Sequence, residues 1–447
     1  MNSSSNDPVV PPRRAAVAFI FVTVMLDMLA FGIIIPVLPH LIVQLIGGSI
    51  AHAAMWSGLF GALFMLMQFV FSPVQGALSD RFGRRPVILL SNVGLGIDFA
   101  IMAIAQALPL LFVGRLVSGI SAASFSTANA YIADVTPKEK RAAAFGLLGA
   151  AFGIGFILGP ALGGFLGGIS TRLPFWVAAG LSVANFCYGL FILPESLPKE
   201  GRSAHFDLHG ANPLGSLRLL RRYPAVLGLA VVLFLINLAQ YSLNSTYVLY
   251  TDYRYGWGPQ IVGYTLALVG LCSGTVQAVL VRKLVPHFGE RRLVLAGLLF
   301  GALGFAVFGL APDGTLFLVG IPFLALWGLA GPPAQALMTQ QVDPHEQGRL
   351  QGAIACLASL AGIFGPGLHS QVFALFIGTH APVHLPGAAF LLAALLLVGG
   401  WQLARRDRTA AHRSSDHVES ASTDSSRVHE LLPGAGEVSS SGLPAKQ

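Results

Sequence analysis

Apolar residues along this chain are gathered into long unbroken runs, and short polar loops separate them. A helix that crosses a bilayer needs roughly 20 mostly apolar residues. Twelve stretches meet that requirement: 15–39, 53–76, 86–106, 108–133, 142–168, 173–193, 223–249, 259–281, 293–311, 315–340, 349–377 and 385–404. The runs are continuous rather than alternating, so they predict helices and not the strands of a barrel. The stretches at 142–168 and 315–340 are rich in Gly and Pro. Bilayer helices accept both, and small residues let neighbouring helices approach closely. The first run is too long for a cleavable signal, and further runs follow it.

Composition narrows the class. Charged residues make up 11% of the 447 residues and hydrophobic residues 54%, whereas a soluble protein carries about 25% charged residues. The formal net charge is +7, but its placement argues against a nucleic-acid partner. Loops assigned alternately to the two sides, with the N-terminus inside, gather Arg13, Arg14, Arg81, Arg84, Arg85, Lys138, Lys140, Arg141 and their counterparts on the inner side. Of 27 basic residues only Arg115, Arg172 and Arg254 fall in spans or outer loops. This is the positive-inside bias. It predicts a multi-pass protein of the inner or plasma membrane, an even number of spans and both termini in the cytoplasm. Cys187, Cys272 and Cys356 all fall in predicted helices, too scattered for a metal site, and read as small packing residues.

The halves echo each other. Phe82-Gly83-Arg84-Arg85 recurs as Phe288-Gly289-Glu290-Arg291, and Gly159-Pro160 recurs as Gly365-Pro366, both at an offset of 206 positions. Asp134-Val135-Thr136-Pro137 is echoed by Val342-Asp343-Pro344. The repeats predict an all-α membrane protein of twelve transmembrane helices in two pseudo-symmetric six-helix bundles, with a site between them. Residues 1–14 are then a cytoplasmic N-terminal segment, 15–193 the first bundle, 194–222 a cytoplasmic linker and 223–404 the second bundle. The Ser-, His- and charge-rich stretch 405–447 reads as a disordered cytoplasmic tail.

Ionisable groups deep in the spans carry the chemical information, because a charge at the bilayer centre costs several kcal/mol. Asp27 in the first span and Asp98 in the third each lie about 18 Å along their helices at 1.5 Å per residue. Asp98 and Arg115 flank the turn near Ala107 at almost equal distance, so antiparallel helices bring them to one depth. A carboxyl in apolar surroundings resists ionisation, and a neighbouring arginine favours it. A site that gains and loses such a partner can take up and release protons; a static salt bridge is the alternative. Gln68, Asn129, Asn237, Gln240, Gln277 and Gln335 either line a pathway or make interhelical hydrogen bonds. His369 reads as packing. Gly76, Asp80, Arg81, Gly83, Arg84 and Arg85 form a loop at the inner rim, where Asp80 is placed to pair with a basic residue or a helix N-terminus. Asp134 is assigned to the same network. Gly149, Gly153, Gly159, Pro160, Gly163 and Gly164 form a close-packing surface in the fifth span, with a kink at Pro160.

From Ala15 to Ala404 these motifs, in this order, resemble the major facilitator superfamily, in its drug/proton antiporter branch, and are most similar to the tetracycline/proton antiporters. The resemblance rests on Leu26-Asp27, Gly32 to Pro39, the Gly76–Arg85 loop, Gly114-Arg115, the fifth-span glycines and Tyr250 to Trp257, read as an outer loop. It implies proton-coupled export of amphipathic drugs by alternating access, tetracycline-like compounds first among them. It also implies that the Gly76–Arg85 loop latches an outward-facing state. One departure stands out. Gly301 occupies the position of the ninth-span acidic residue of the tetracycline antiporters, and Ser273 that of an eighth-span histidine. Coupling then rests on Asp27 and Asp98. The implied partners are protons, a small-molecule substrate and the bilayer, with the protein working as a monomer. No cofactor is implied and no protein metal site; Mg²⁺ would arrive only with a chelating substrate. A metabolite exporter or facilitator on the same scaffold and a non-transporting receptor or scaffold are the rival readings. An enzyme is disfavoured, since no nucleophile–base grouping is recognisable.

Overall fold

The computed structural model describes residues 13–406 except 123, 138–139, 200–201, 204–219, 221, 344–345 and 380. The expected tail beyond 406, most of the expected linker and residues 1–12 lie outside the described residues. Among the described residues, twelve helices are long and apolar enough to cross a membrane: α1 Ala16–Ile46, α2 Ile50–Phe82, α3 Arg84–Ile104, α4 Leu108–Val135, α5 Ala143–Ile169, α6 Leu173–Phe191, α7 Val226–Tyr255, α8 Pro259–Phe288, α9 Glu290–Leu310, α10 Gly314–Gln340, α11 Gln347–Ile377 and α12 Ala388–Arg406.

Several helices run further than hydropathy marks. α1 breaks after Ile34 and resumes at Leu38 with Pro39 in its first turn, where a proline is accepted, and so runs past the expected end at 39. Tyr250 to Tyr255 is helix, not loop, and Gly256 caps it in the left-handed region at φ 65°. Its aromatic side chains explain the extension. Tyr250 packs edge-on to Phe390 at 4.9 Å and donates its hydroxyl to the Phe308 carbonyl at 2.7 Å. α4 leaves helical geometry at Ala122, with φ −78° and ψ 36°. α8 carries a π-turn at Val276–Leu280, and α10 a 3-10 turn at Trp327–Leu329 ahead of Pro332-Pro333.

Within the first six helices, α1 packs on α5 and α6, and α3 on α4 and α6. Within the second six, α7 packs on α11 and α9 on α10. The halves meet chiefly through two helix pairs, α2 with α11 and α5 with α8. These pairs exchange when the halves are exchanged, as the internal repeat requires. Close approach is local. A Cβ on Gly164 would come within 2.8 Å of the Gly263 Cα, and one on Gly58 within 2.8 Å of the Pro366 carbonyl. Both contacts lie toward the face opposite the Gly76–Arg85 loop. Toward the loop face the same helices diverge, and a Cβ on Gly76, Gly149, Gly153 or Gly274 would meet nothing within 4 Å. The molecule is therefore sealed at the far face and open at the basic loop face.

This divides the glycine series of the fifth span. Gly159 and Gly163 pack on α1, against Gly32 and Ile33, and Gly164 packs on α8. Gly149 and Gly153, expected to be tightly packed, are not, because α8 has swung away from that half of α5. Helix α5 runs without a break through Pro160.

Candidate functional site

Between the halves lies a cavity of about 740 Å³, lined by α2, α4, α7 and α11 and reaching Asp80 and Arg84 at the loop face. Its walls combine Met65, Phe69, Tyr241 and Cys356 with the hydroxyl-bearing Ser72, Ser126 and Ser359. This is the make-up of a site for a flat molecule that is apolar on its faces and polar at its edges. Gly362 and Gly365 leave room for the Tyr241 side chain, since a Cβ on Gly362 would lie 2.7 Å from its hydroxyl and one on Gly365 2.6 Å from its Cβ.

The break in α4 frees backbone carbonyls, and buried carbonyls in a membrane protein need donors. Glutamines on α2 supply them. Gln68 donates to the Ala122 carbonyl at 3.1 Å, and Gln75 donates to the Ile120 carbonyl. Gln68 is also part of the cavity wall. Asn129 is not among the cavity residues, and neither are Gln277 and Gln335, which are exposed. Gln277 instead packs beside Gly328 on α10, its Cγ 3.2 Å from where a Cβ would stand. Asn237 Nδ2 bonds the Leu233 carbonyl of its own helix. His369 packs with Nε2 3.0 Å from the Leu238 carbonyl.

Asp98 and Arg115 do meet. The guanidinium donates to Asp98 Oδ2, with the carboxylate fully buried and the arginine 5% exposed. Gly114 makes the meeting possible, because a Cβ there would lie 2.6 Å from Asp98 Oδ1. Arg115 also lies over the Phe64 ring at 5.8 Å. Asp98 Oδ1 and Arg115 Nε have no hydrogen-bond partner. Asp27 is 4% exposed and receives a hydrogen bond from Asn185 Nδ2 at 2.7 Å. The same amide donates to the Thr23 carbonyl at 2.9 Å. Neither Asp27 nor Asp98 lines the cavity. Both are buried inside the first bundle. The sequence reading missed Asn185, although an amide in an apolar run was the signal that could have found it.

At the loop face, Arg84 is the hub. It contacts Asp80 at 2.5 Å and Asp134 at 3.1 Å, and donates to Ser79 Oγ at 2.6 Å. Its backbone N–H donates to Glu195 Oε1 at 2.9 Å. Arg85 caps the end of α6 through the Gly189 and Leu190 carbonyls. Arg81 stands apart, over the Phe82 ring at 5.4 Å. Gly83 has φ 107°, which favours glycine. These partners come from the first six helices and, in Glu195, from the stretch that follows α6. Glu195, unmarked in the sequence reading, closes the network from the end of α6. The second half repeats the theme. Glu346 takes Arg222 and Arg349 at 3.4 and 3.3 Å and accepts from the Tyr223 hydroxyl at 2.7 Å. That hydrogen bond holds the Tyr223 proton on and raises its pKa from the usual phenol value.

A family model described as the Major Facilitator Superfamily matches residues 20–366 and 284–432. The chain belongs to the major facilitator superfamily. It is 38% identical to the class C tetracycline resistance protein of Escherichia coli, over 87% of this chain and 98% of that one. It is 28% identical to multidrug resistance protein 2 of Bacillus subtilis (strain 168), over 86% and 94%. Among solved structures, the human organic anion transporter MFSD10 (TETRAN) is similar at TM-score 0.66 and 26% identity, over 88% of this chain and 100% of that one. A bacterial homologue of the human lysosomal transporter Spinster shares the fold at TM-score 0.70 and 18% identity, over 89% and 98%. The chain is thus a multi-pass transporter of this superfamily and not an enzyme.

Proposed function

We propose that this transporter exports tetracycline-like amphipathic drugs in exchange for protons. In this reading the basic loop face, with both termini, is cytoplasmic, and the described conformation is open inward. The observation that carries the proposal is the cavity between the halves, which opens on the loop face in a molecule whose first bundle buries the Asp98–Arg115 pair and Asp27. Drug enters from the cytoplasm and packs among Met65, Phe69 and Tyr241. The halves then rock about the midplane site, so that the far face opens as the loop face closes, and proton binding on the outer side drives the return. Proton exchange at Asp27 and Asp98 needs a hydrated path to them, which the opposite state supplies when α1 and α4 move relative to α3 and α6. The protein works as a monomer and needs no cofactor; Mg²⁺ comes only with a chelating substrate.

The 38% identity to a tetracycline resistance protein supports the substrate class. The test uses inverted membrane vesicles in which an imposed proton gradient drives labelled tetracycline inward. The wild type accumulates drug and the Asp27→Asn protein does not, at equal protein in the membrane. Full gradient-driven uptake by the Asp27→Asn protein would overturn the coupling assignment. Drug binding without uptake by the wild type would overturn transport of this substrate.

A further inference from the structure

We propose that His40 and Asp252 form a proton-binding latch at the far gate, separate from the central carboxylates. His40 lies two residues into the restarted outer segment of α1, and Asp252 lies in the last turn of α7. His40 Nδ1 is 3.5 Å from Asp252 Oδ2. The contact joins the halves where the molecule is sealed. The ion pairs of Arg84, Arg115, Arg202, Arg222 and Arg349, in contrast, each stay within one half.

The chemistry follows from the geometry. The His40 side chain is 12% exposed and that of Asp252 28%, so the carboxylate stands at the solvent edge with the imidazole behind it. His40 Nε2 is buried and has no hydrogen-bond partner. An imidazole that offers its Nδ1 proton to Asp252 leaves a bare lone pair on Nε2. A proton arriving from the far side adds there, no other bond breaks, and a neutral–anion contact becomes a cation–anion pair across the gate. Opening the gate then requires separating opposite charges in surroundings of low dielectric. Protonation closes the far face and deprotonation frees it.

Neighbouring charges are occupied elsewhere. On α7, Tyr253 meets His384 at 2.8 Å, while Arg254 and Tyr255 donate to the Ala311 carbonyl. On α2, His52 is exposed. Arg172, at the start of α6, donates to the Ala103 and Ala105 carbonyls. Asp252 is the charged group that faces His40, at 3.5 Å.

In an antiporter this latch has a direction. Acid outside favours the far-closed, inward-open state, which is the return step of the cycle. The inference deepens the proposed proton coupling, yet its test needs neither drug nor gradient. Cysteines 187, 272 and 356 are replaced by serine, and spin labels are placed at His52→Cys and Val383→Cys on the far face. The purified protein is measured from about pH 8 down to about pH 4.5, well past the ordinary histidine value. The wild-type distance shortens on acidification. His40→Gln and Asp252→Asn lose that shift, His40→Lys stays short at every pH, and Asp27→Asn and His384→Gln retain it. A wild-type shift in His40→Gln overturns the latch, as does a shift lost in Asp27→Asn or His384→Gln but kept in His40→Gln. His40→Lys, which keeps the pair charged, also overturns it if its gate still opens at alkaline pH. Failure of the drug-uptake experiment would leave these distances unaffected.

Discussion

Gly164 on α5 and Gly263 on α8 stand back to back across the two halves, and a side chain on Gly164 would strike the Gly263 backbone before it could reach a rotamer. Further along α5, Gly149 and Gly153 occupy the same helical face as Gly164 by the 3.6-residue repeat and touch nothing on α8. Gly274 continues the matching face of α8 and is equally free. One surface therefore holds a closed half and an open half at once, as expected for a seam that closes alternately at its two ends.

Substitutions on this seam should separate by position. Gly164→Leu is predicted to pry the far face open, so that far-face labels move apart. Gly153→Leu is predicted to leave the described state intact, because the space is empty, and to block closure at the loop face. Transport by Gly153→Leu should fall at least about tenfold, which corresponds to about 1.4 kcal/mol at the closed state. Distances between loop-face labels, with and without drug, check this. Full cycling by Gly153→Leu would show that the empty face is never closed.

The Asn185 amide ties α6 to α1 through both Asp27 and the Thr23 carbonyl. Asn185→Leu removes two hydrogen bonds, each worth about 0.6 to 2 kcal/mol in a membrane. The variant should fold and bind drug with ordinary affinity while its gradient-driven uptake rate drops. Drug binding measured beside uptake decides between this and a purely structural role, in which binding and uptake would fall together.

The twelve helices, the duplication and the Asp98–Arg115 pair were legible because they follow from run length, repeat offset and distance from a shared turn. Helix ends were less so. Tyr250 to Tyr255 is polar by hydropathy yet helical, because its rings fill the far end of the second bundle against Phe308, Phe317 and Phe390. The direction a side chain takes was not legible at all. Gln68 faces the cavity and Gln277 does not, though both are glutamines within apolar runs. His40 gave no signal, since its meaning comes from Asp252, which is 212 positions away and in the other half.

For Asp98 and Arg115 the choice between a coupling pair and a static bridge is open to a double-substitution test. Removing one partner strands a buried charge at a cost of about 3–5 kcal/mol. Arg115→Gln alone should therefore lower the yield of folded protein. Asp98→Asn with Arg115→Gln removes both charges and should restore yield and thermal stability. If the pair couples, the restored protein remains unable to accumulate drug. If it recovers uptake along with stability, the pair is a bridge and coupling rests elsewhere.

Position 301 is the last case, and here the packing opposes a repair that the family resemblance invites. Gly301 on α9 is buried, and a Cβ there would lie 2.7 Å from Trp327 Cδ1 and Cγ and 2.8 Å from Leu397 Cδ1. The indole is rigid and is held against Phe305 at 5.3 Å, so it cannot yield as a flexible chain would. Gly301→Asp thus adds a clash and an unpaired buried carboxyl, and should depress the yield of folded protein without adding proton-coupled uptake. Gly301→Asp with Trp327→Ala removes the rigid obstacle and should recover part of the yield. Thermal unfolding of the purified variants measures both effects. A fully stable Gly301→Asp protein would mean that α9 and α10 can part at Trp327, beside the 3-10 turn where α10 is already broken.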